Sequence, residues 1–193
     1  MRYLTLLLLP FFLFLTACGG GNQQNGQTAE TGDAQKQMAQ TDDVRTVHIF
    51  ALNKMKFVVK EAGERIGTGE TIDGSDGSSY LLLEDIKVAP GEKLRIKLTT
   101  VSKLPANAMS HNWILLALGA DAEAFASAAM MARTSGYIPT DLADQIIAHT
   151  ELAGGGKTVE VTFTVPKKTG QYDYLCSFPA HFMSGMKGKL IVE

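Results

Sequence analysis

The chain predicts an all-β fold, a Greek-key β-sandwich interrupted by a small helical excursion. Three observations lead there. Short β-branched runs recur along residues 44–192, several of them alternating apolar with polar positions. Pro-Gly, Gly-Gly and Lys-Lys-Thr-Gly groups separate the runs as turns. One Ala- and Met-rich stretch, at 121–133, breaks the series with strong helix formers.

The first residues stand outside that fold. Arg2 precedes an apolar run over 4–15, shorter than the roughly 20 residues of a membrane span. Small residues follow it, so 1–17 is expected to be a signal peptide. Leu15-Thr16-Ala17-Cys18 resembles a bacterial lipobox. That makes Cys18 the expected acylated residue, anchoring the chain to the extracytoplasmic face of a bacterial membrane, periplasmic or at the cell surface. Ordinary cleavage near Ala17 is the alternative. Residues 18–43 are rich in Gly, Gln, Asn and Thr and lack aromatics. Such a stretch buries too little to offset the entropy of ordering it, and a flexible linker is expected. The remaining 44–193 suffices for one domain with a core of its own.

Within that domain, 44–52, 56–59, 80–88, 93–101, 112–118, 158–165, 171–176 and 189–192 read as strands. The clearest is 158–165, where Val159, Val161, Phe163 and Val165 alternate with polar residues. The helical stretch has Asp121 as its N-cap and Gly136 near its stop. Thr140 and Asp141, after Pro139, open a second and shorter helix over 140–147. Both are expected on the outside of the sandwich, with Met130 and Met131 packing the helix. The Gly-rich stretch 63–79 lacks the Lys-Ser/Thr ending of a phosphate loop and reads as a long exposed hairpin or loop.

Charge excludes one class of partner. The formal net charge is −2, with 18 basic and 20 acidic residues. There is no basic stripe for nucleic acid.

Cysteine usage is more informative. The chain has two Cys, and once Cys18 is assigned to lipid, Cys176 is left unpaired. An unpaired Cys in an exported chain is expected to be reactive or metal-bound. Cys176 is followed by His181, Met183 and Met186. A thiolate, an imidazole and a thioether, joined by a second imidazole, make the trigonal His₂Cys site with a weak axial Met that binds copper for electron transfer. Met186 is preferred to Met183, which lies too close to His181 for its chain to swing round to an axial position. His111 is the favoured second imidazole, because a Pro-containing loop at 104–107 enters a strand there. His48 and His149 have no ligand-type company and read as surface or packed residues.

The segments 104–113, 146–150 and 176–188 resemble, in order, the azurin branch of the cupredoxins. The resemblance implies an eight-stranded Greek-key sandwich with a small helical flap. It implies one mononuclear type 1 copper held by His111, Cys176, His181 and Met186. It also implies supporting roles for Asn112 and for the backbone amide of Phe178, which would donate toward the Cys176 sulfur. In that family, partners dock on an apolar patch around the second loop His. Here Met109, Pro179, Ala180, Phe182 and Met183 would form it, receiving a redox protein donor and acceptor such as a cytochrome or a membrane oxidoreductase.

Two departures are visible. Four residues separate His181 from Met186 where azurins proper have three, a spacing that resembles the auracyanins. Ser110 stands where azurins usually carry Gly.

The function expected is a membrane-tethered electron carrier and not an enzyme. No oxyanion-stabilising group or orienting carboxylate lies near Cys176 in sequence, and Met186 would have no role in nucleophilic catalysis. An extracytoplasmic copper chaperone or storage protein is the alternative. It would need exposed Met- or Cys-rich motifs, whereas the eight Met residues are dispersed.

Overall fold

The computed structural model describes residues 44–193. The expected signal peptide 1–17, the lipidation site Cys18 and the linker 18–43 lie outside the described residues. Twelve short strands follow in chain order: β1 (Arg45–Leu52), β2 (Lys56–Val59), β3 (Ile66–Asp73), β4 (Ser79–Val88), β5 (Lys93–Val101), β6 (Ser110–His111), β7 (Ile114–Leu116), β8 (Ile146–His149), β9 (Ala153–Gly154), β10 (Thr158–Thr164), β11 (Gly170–Leu175) and β12 (Lys187–Val192). One path of neighbours runs β10-β5-β1-β2-β4-β12-β11-β7-β8, with β3 paired to β4 off it and β6 paired to β9 apart. Pairings β1–β5 and β4–β12 are parallel and the others antiparallel. Parallel neighbours need crossovers rather than hairpins, which makes this a Greek-key arrangement and not a meander. The ends of the path, β8 and β10, also touch, so the sheet nearly closes on itself.

Alternation decides which side chains meet inside. Along β5, Leu94, Ile96 and Leu98 are fully buried while Lys93, Arg95 and Lys97 point outward. They join Ile49, Phe57, Ile86, Trp113, Tyr174 and Leu190 in the main core. Trp113 is 0% exposed, its ring 5.6 Å from Tyr174 and 5.9 Å from Phe163. A smaller outer cluster of Phe50, Leu52, Val58, Ile72 and Tyr80 lies against β3. The Gly-rich stretch is therefore a hairpin with a genuine strand in it, closed by a turn in which the Gly74 N–H donates to the Ser78 carbonyl.

β1 crosses the barrel from pole to pole. Arg45 pairs with Leu94 and donates to the Lys87 carbonyl at one end. Leu52 pairs with Lys56 at the other, and Lys56 Nζ donates to the Ser184 carbonyl of the loop that follows β11. The pole near Arg45 is tied by Glu92, just after the Pro90–Gly91 turn, where Gly91 takes the positive φ of 77° that a type II turn requires. Glu92 accepts from Arg45 Nε at 2.6 Å, Arg65 Nη2 at 2.7 Å and the Ala89 N–H at 2.8 Å.

Burial opposes the Glu92 charge, but the Ala89 N–H and the two guanidinium groups outweigh it and hold the carboxyl below its usual range. A carboxylate with a depressed folded-state pKa stabilises above its ordinary pKa, and that contribution is lost as pH falls through the folded value. Glu92→Gln should therefore cost about 1–2 kcal/mol at pH 7, discounted for the partly exposed arginines. Urea titrations of variant and parent should converge as the pH drops below the ordinary carboxylate range; a gap that persists there would refute the charge as the cause.

The helical excursion is shorter than the sequence suggests. It holds one helix, α1 (Ala122–Ala129), capped by Asp121 Oδ1 on the N–H groups of Glu123 and Ala124, both at 3.0 Å. A 3₁₀ turn (Arg133–Ser135) and a kinked 3₁₀ segment (Thr140–Gln145) follow. The second expected helix ends early, because Ile146 and Ile147 belong to β8, where Ile146 pairs with Leu116 of β7. α1 packs on the outside through Phe125 and Ala126, which meet Ile114, Leu116, Leu175 and Phe182 in a second core. Met130 and Met131 do not pack the helix as expected; they are 50% and 88% exposed.

Candidate metal centre

The site is built at the pole where β11 ends and β12 begins. Between them the chain turns back on itself. The Cys176 N–H donates to the Met186 carbonyl at 3.1 Å and the Met186 N–H to the His181 carbonyl at 3.0 Å, closing the loop. A tight turn inside it puts Ala180 at φ 69°, a left-handed conformation that costs a residue with a Cβ about 1–2 kcal/mol. That conformation is held by three bonds: His181 N–H to the Phe178 carbonyl, and both Ser184 N–H and Ser184 Oγ to the Ala180 carbonyl. The result directs His181 inward beside Cys176.

His111 reaches the same point from β6, which pairs with β9. A single residue bridges the two chain segments. Asn112 Nδ2 donates to Ser177 Oγ, and Asn112 Oδ1 accepts from the Ser177 N–H, both at 2.9 Å and fully buried. This clasp fixes the residue after His111 to the residue after Cys176. Further bracing comes from the flap: the Tyr137 ring meets Phe178 edge-on at 5.2 Å, and Phe182 packs beneath α1.

The four candidate ligand residues thus converge. One ligand atom each from His111, Cys176 and His181 lies within 4.8 Å of the others. Cys176 Sγ is 3.4 Å from His181 Nδ1 and 4.0 Å from His111 Nδ1, while Met186 Sδ is 3.2 Å from His111 Nδ1. Atoms so spaced can share one ion at bond lengths of about 2.0–2.3 Å. Both imidazoles present Nδ1 to the sulfur. His111 Nε2, buried, has no partner among the described residues.

Burial sets the protonation states. It pushes His111 down to about 3, with the neighbouring His181 adding to the effect, and His181 down to about 4. Both rings are neutral at ordinary pH, with lone pairs free for a metal. Burial pushes the Cys176 thiol up to about 12, against the opposing pull of the Asn112 and Phe178 backbone N–H groups. A soft sulfur, two neutral imidazoles and a thioether, aimed at one point with little other bonding, suit a soft or borderline metal.

Other expected residues distribute differently. Pro179 and Met109 are half-buried and Ala180 is exposed. Phe182 turns away from solvent, 9% exposed, and joins the second core under Lys187, whose Nζ sits 4.3 Å over its ring. Met183 is 73% exposed and is not among the converging groups. His48 bonds to Thr99 and stacks on Phe50 and is not part of the cluster. His149 belongs to β8. Ser177 and Tyr137 were not foreseen. Their roles depend on partners distant in sequence, and nothing in their local composition marks them.

The profile of copper binding proteins of the plastocyanin/azurin family matches residues 71–193. The chain belongs to that family. Among curated relatives, azurin-1 of Alcaligenes xylosoxydans xylosoxydans is 38% identical over 62% of this chain and 92% of its own length. Auracyanin-A of Chloroflexus aurantiacus is 39% identical over 56% of this chain and 64% of its own length. The solved structure of auracyanin A, described as a "blue" copper protein, superposes with a TM-score of 0.57 at 30% identity, covering 78% of this chain and all of that one. Auracyanin B, at 24% identity and TM-score 0.57, shares the fold. As a cupredoxin with a His–Cys–His cluster, the chain takes one type 1 copper as its cofactor.

Proposed function

We propose that the chain is a membrane-tethered electron carrier whose copper would be held by His111, Cys176, His181 and Met186. The observation that carries this reading is the convergence of those four side chains, from two distant segments, at a buried point closed by the Asn112–Ser177 clasp. Copper held there would supply single-electron exchange. The chain's part is to hold both imidazoles and the thiolate at fixed spacing, which the clasp and the loop's own hydrogen bonds do. The Asn112 and Phe178 N–H groups stabilise charge on the sulfur. Partners would be a redox protein donor and acceptor meeting the exposed rim at Ala180 and Met183. The anchor would be acylated Cys18 on an extracytoplasmic membrane face, read from the lipobox-like sequence.

Two alternatives fit less well. A nucleophilic enzyme wants a lowered thiol pKa and access to substrate, whereas Cys176 is fully buried and its thiol raised. A chaperone or store needs ligands within a partner's reach, and these four are 2% exposed or less.

The test is to load the full chain with Cu(II) and record the visible spectrum. An intense blue thiolate band is expected. Met186→Gln should displace the band and the reduction potential, while Met183→Gln leaves both in place. A colourless protein holding stoichiometric copper would sink the reading, and a shift with Met183 alone would reassign the thioether ligand.

A further inference from the structure

The four candidate ligand residues are 2% exposed or less, so an ion arriving from solvent meets other side chains first. A cavity of about 210 Å³ lies between α1 and the loop after β11. Glu123 and Met130, seven residues apart on one stripe of α1 and its C-cap, line one wall. Met183 lines the opposite wall, and Cys176, itself fully buried, contributes to the cavity's boundary. The two methionines are unusual residents. Each is a large apolar side chain beside a well-formed core, yet they remain 50% and 73% exposed. Their neighbours Phe125 and Phe182 turn inward instead. Both methionines line one cavity, and a thioether is a soft, uncharged, weakly binding ligand that favours Cu(I) over harder ions. The Glu123 carboxylate on the same cavity adds attraction for a cation.

We propose that Met130 and Met183 form a transient Cu(I) capture site that loads the buried centre past Cys176. This rests on the copper reading above. Transfer breaks the contacts to the two thioethers and forms a bond to the Cys176 sulfur, whose proton leaves to solvent; the ion stays in the +1 state, so no oxidant or reductant is required. Weak capture ligands suit the task, because a tight site would retain the ion.

The test uses the full chain, metal-free and labelled with ¹³C at the methionine methyls, titrated with Ag(I) as a diamagnetic stand-in for Cu(I). The Met186 methyl should shift over the first equivalent and the Met130 and Met183 methyls over the second. Met131, 88% exposed and outside the cavity, should not move. Alongside, Cu(I) delivered from a coloured chelator should transfer several-fold more slowly to the M130L/M183L double variant than to the parent or to M131L, with the same final copper content. Equal rates would overturn the proposal, and so would a Met131 methyl that responds alongside the other two. A silent Met186 methyl with no copper uptake would overturn the copper reading itself, and the capture site with it.

Discussion

Cys176→Ser should abolish the blue band and, with it, the pH dependence of copper binding. The reasoning starts from burial. With His111 down to about 3 and His181 down to about 4, neither imidazole holds a proton above about pH 5. With Cys176 up to about 12, the metal-free thiol holds one throughout the working range. Binding therefore releases one proton, from Cys176. Apparent affinity should rise about tenfold per pH unit between about pH 5 and 8, the slope of a single displaced proton. A serine hydroxyl gives up no proton in that range, so the variant's line should be flat as well as weaker. Competition against a chelator at several pH values measures the slope directly. A slope of zero in the parent would mean that the thiolate exists before metal arrives, and a slope near two would mean that a histidine is charged.

Trp113→Ala should be the most damaging core substitution. Trp113 sits just past the candidate ligand His111, fully buried between Tyr174 and Phe163. Deleting so large a buried ring costs about 3–5 kcal/mol, because the lining of the void relaxes only partly. In a domain of this size that is roughly 6–20 °C in Tm. Trp113→Phe should recover much of the loss. The indole Nε1 has no hydrogen-bond partner among the described residues, so only volume is removed. Urea unfolding followed by circular dichroism is the right measurement, since this is the chain's one tryptophan and its fluorescence goes with it. A loss below about 1.5 kcal/mol for the alanine would mean that the sheets close over the gap.

The contrast between what could and could not be read beforehand follows from range in sequence. The loop bearing the candidate ligands was legible because its bonds are local: Cys176, His181 and Met186 lie within one loop closed by its own backbone. Val159, Val161 and Phe163 gave β10 away through strict alternation, and Asp121 announced α1 as a cap. Ile146 and Ile147 misled, since a short apolar pair satisfies a helix and a strand equally and only pairing with β7 decided it. β3 hid in a Gly-rich stretch whose strand character comes from β4. The Asn112–Ser177 clasp joins positions 65 residues apart, and no local pattern encodes it. Phe182 and Met183 show the same limit: adjacent apolar residues, one packed under α1 and one left in solvent.

The pole-to-pole course of β1 has a mechanical consequence. Tension arriving through the chain ahead of Val44 enters at the end of the barrel remote from Cys176. It runs along a strand paired to β5 in parallel register from Arg45 through Leu52 and to β2 over its last three residues. A pull along β1 loads those hydrogen bonds together in shear, instead of peeling them one by one. The face bearing His181 lies toward the other end of β1, so it would stay free to meet another molecule while the Arg45 end is held.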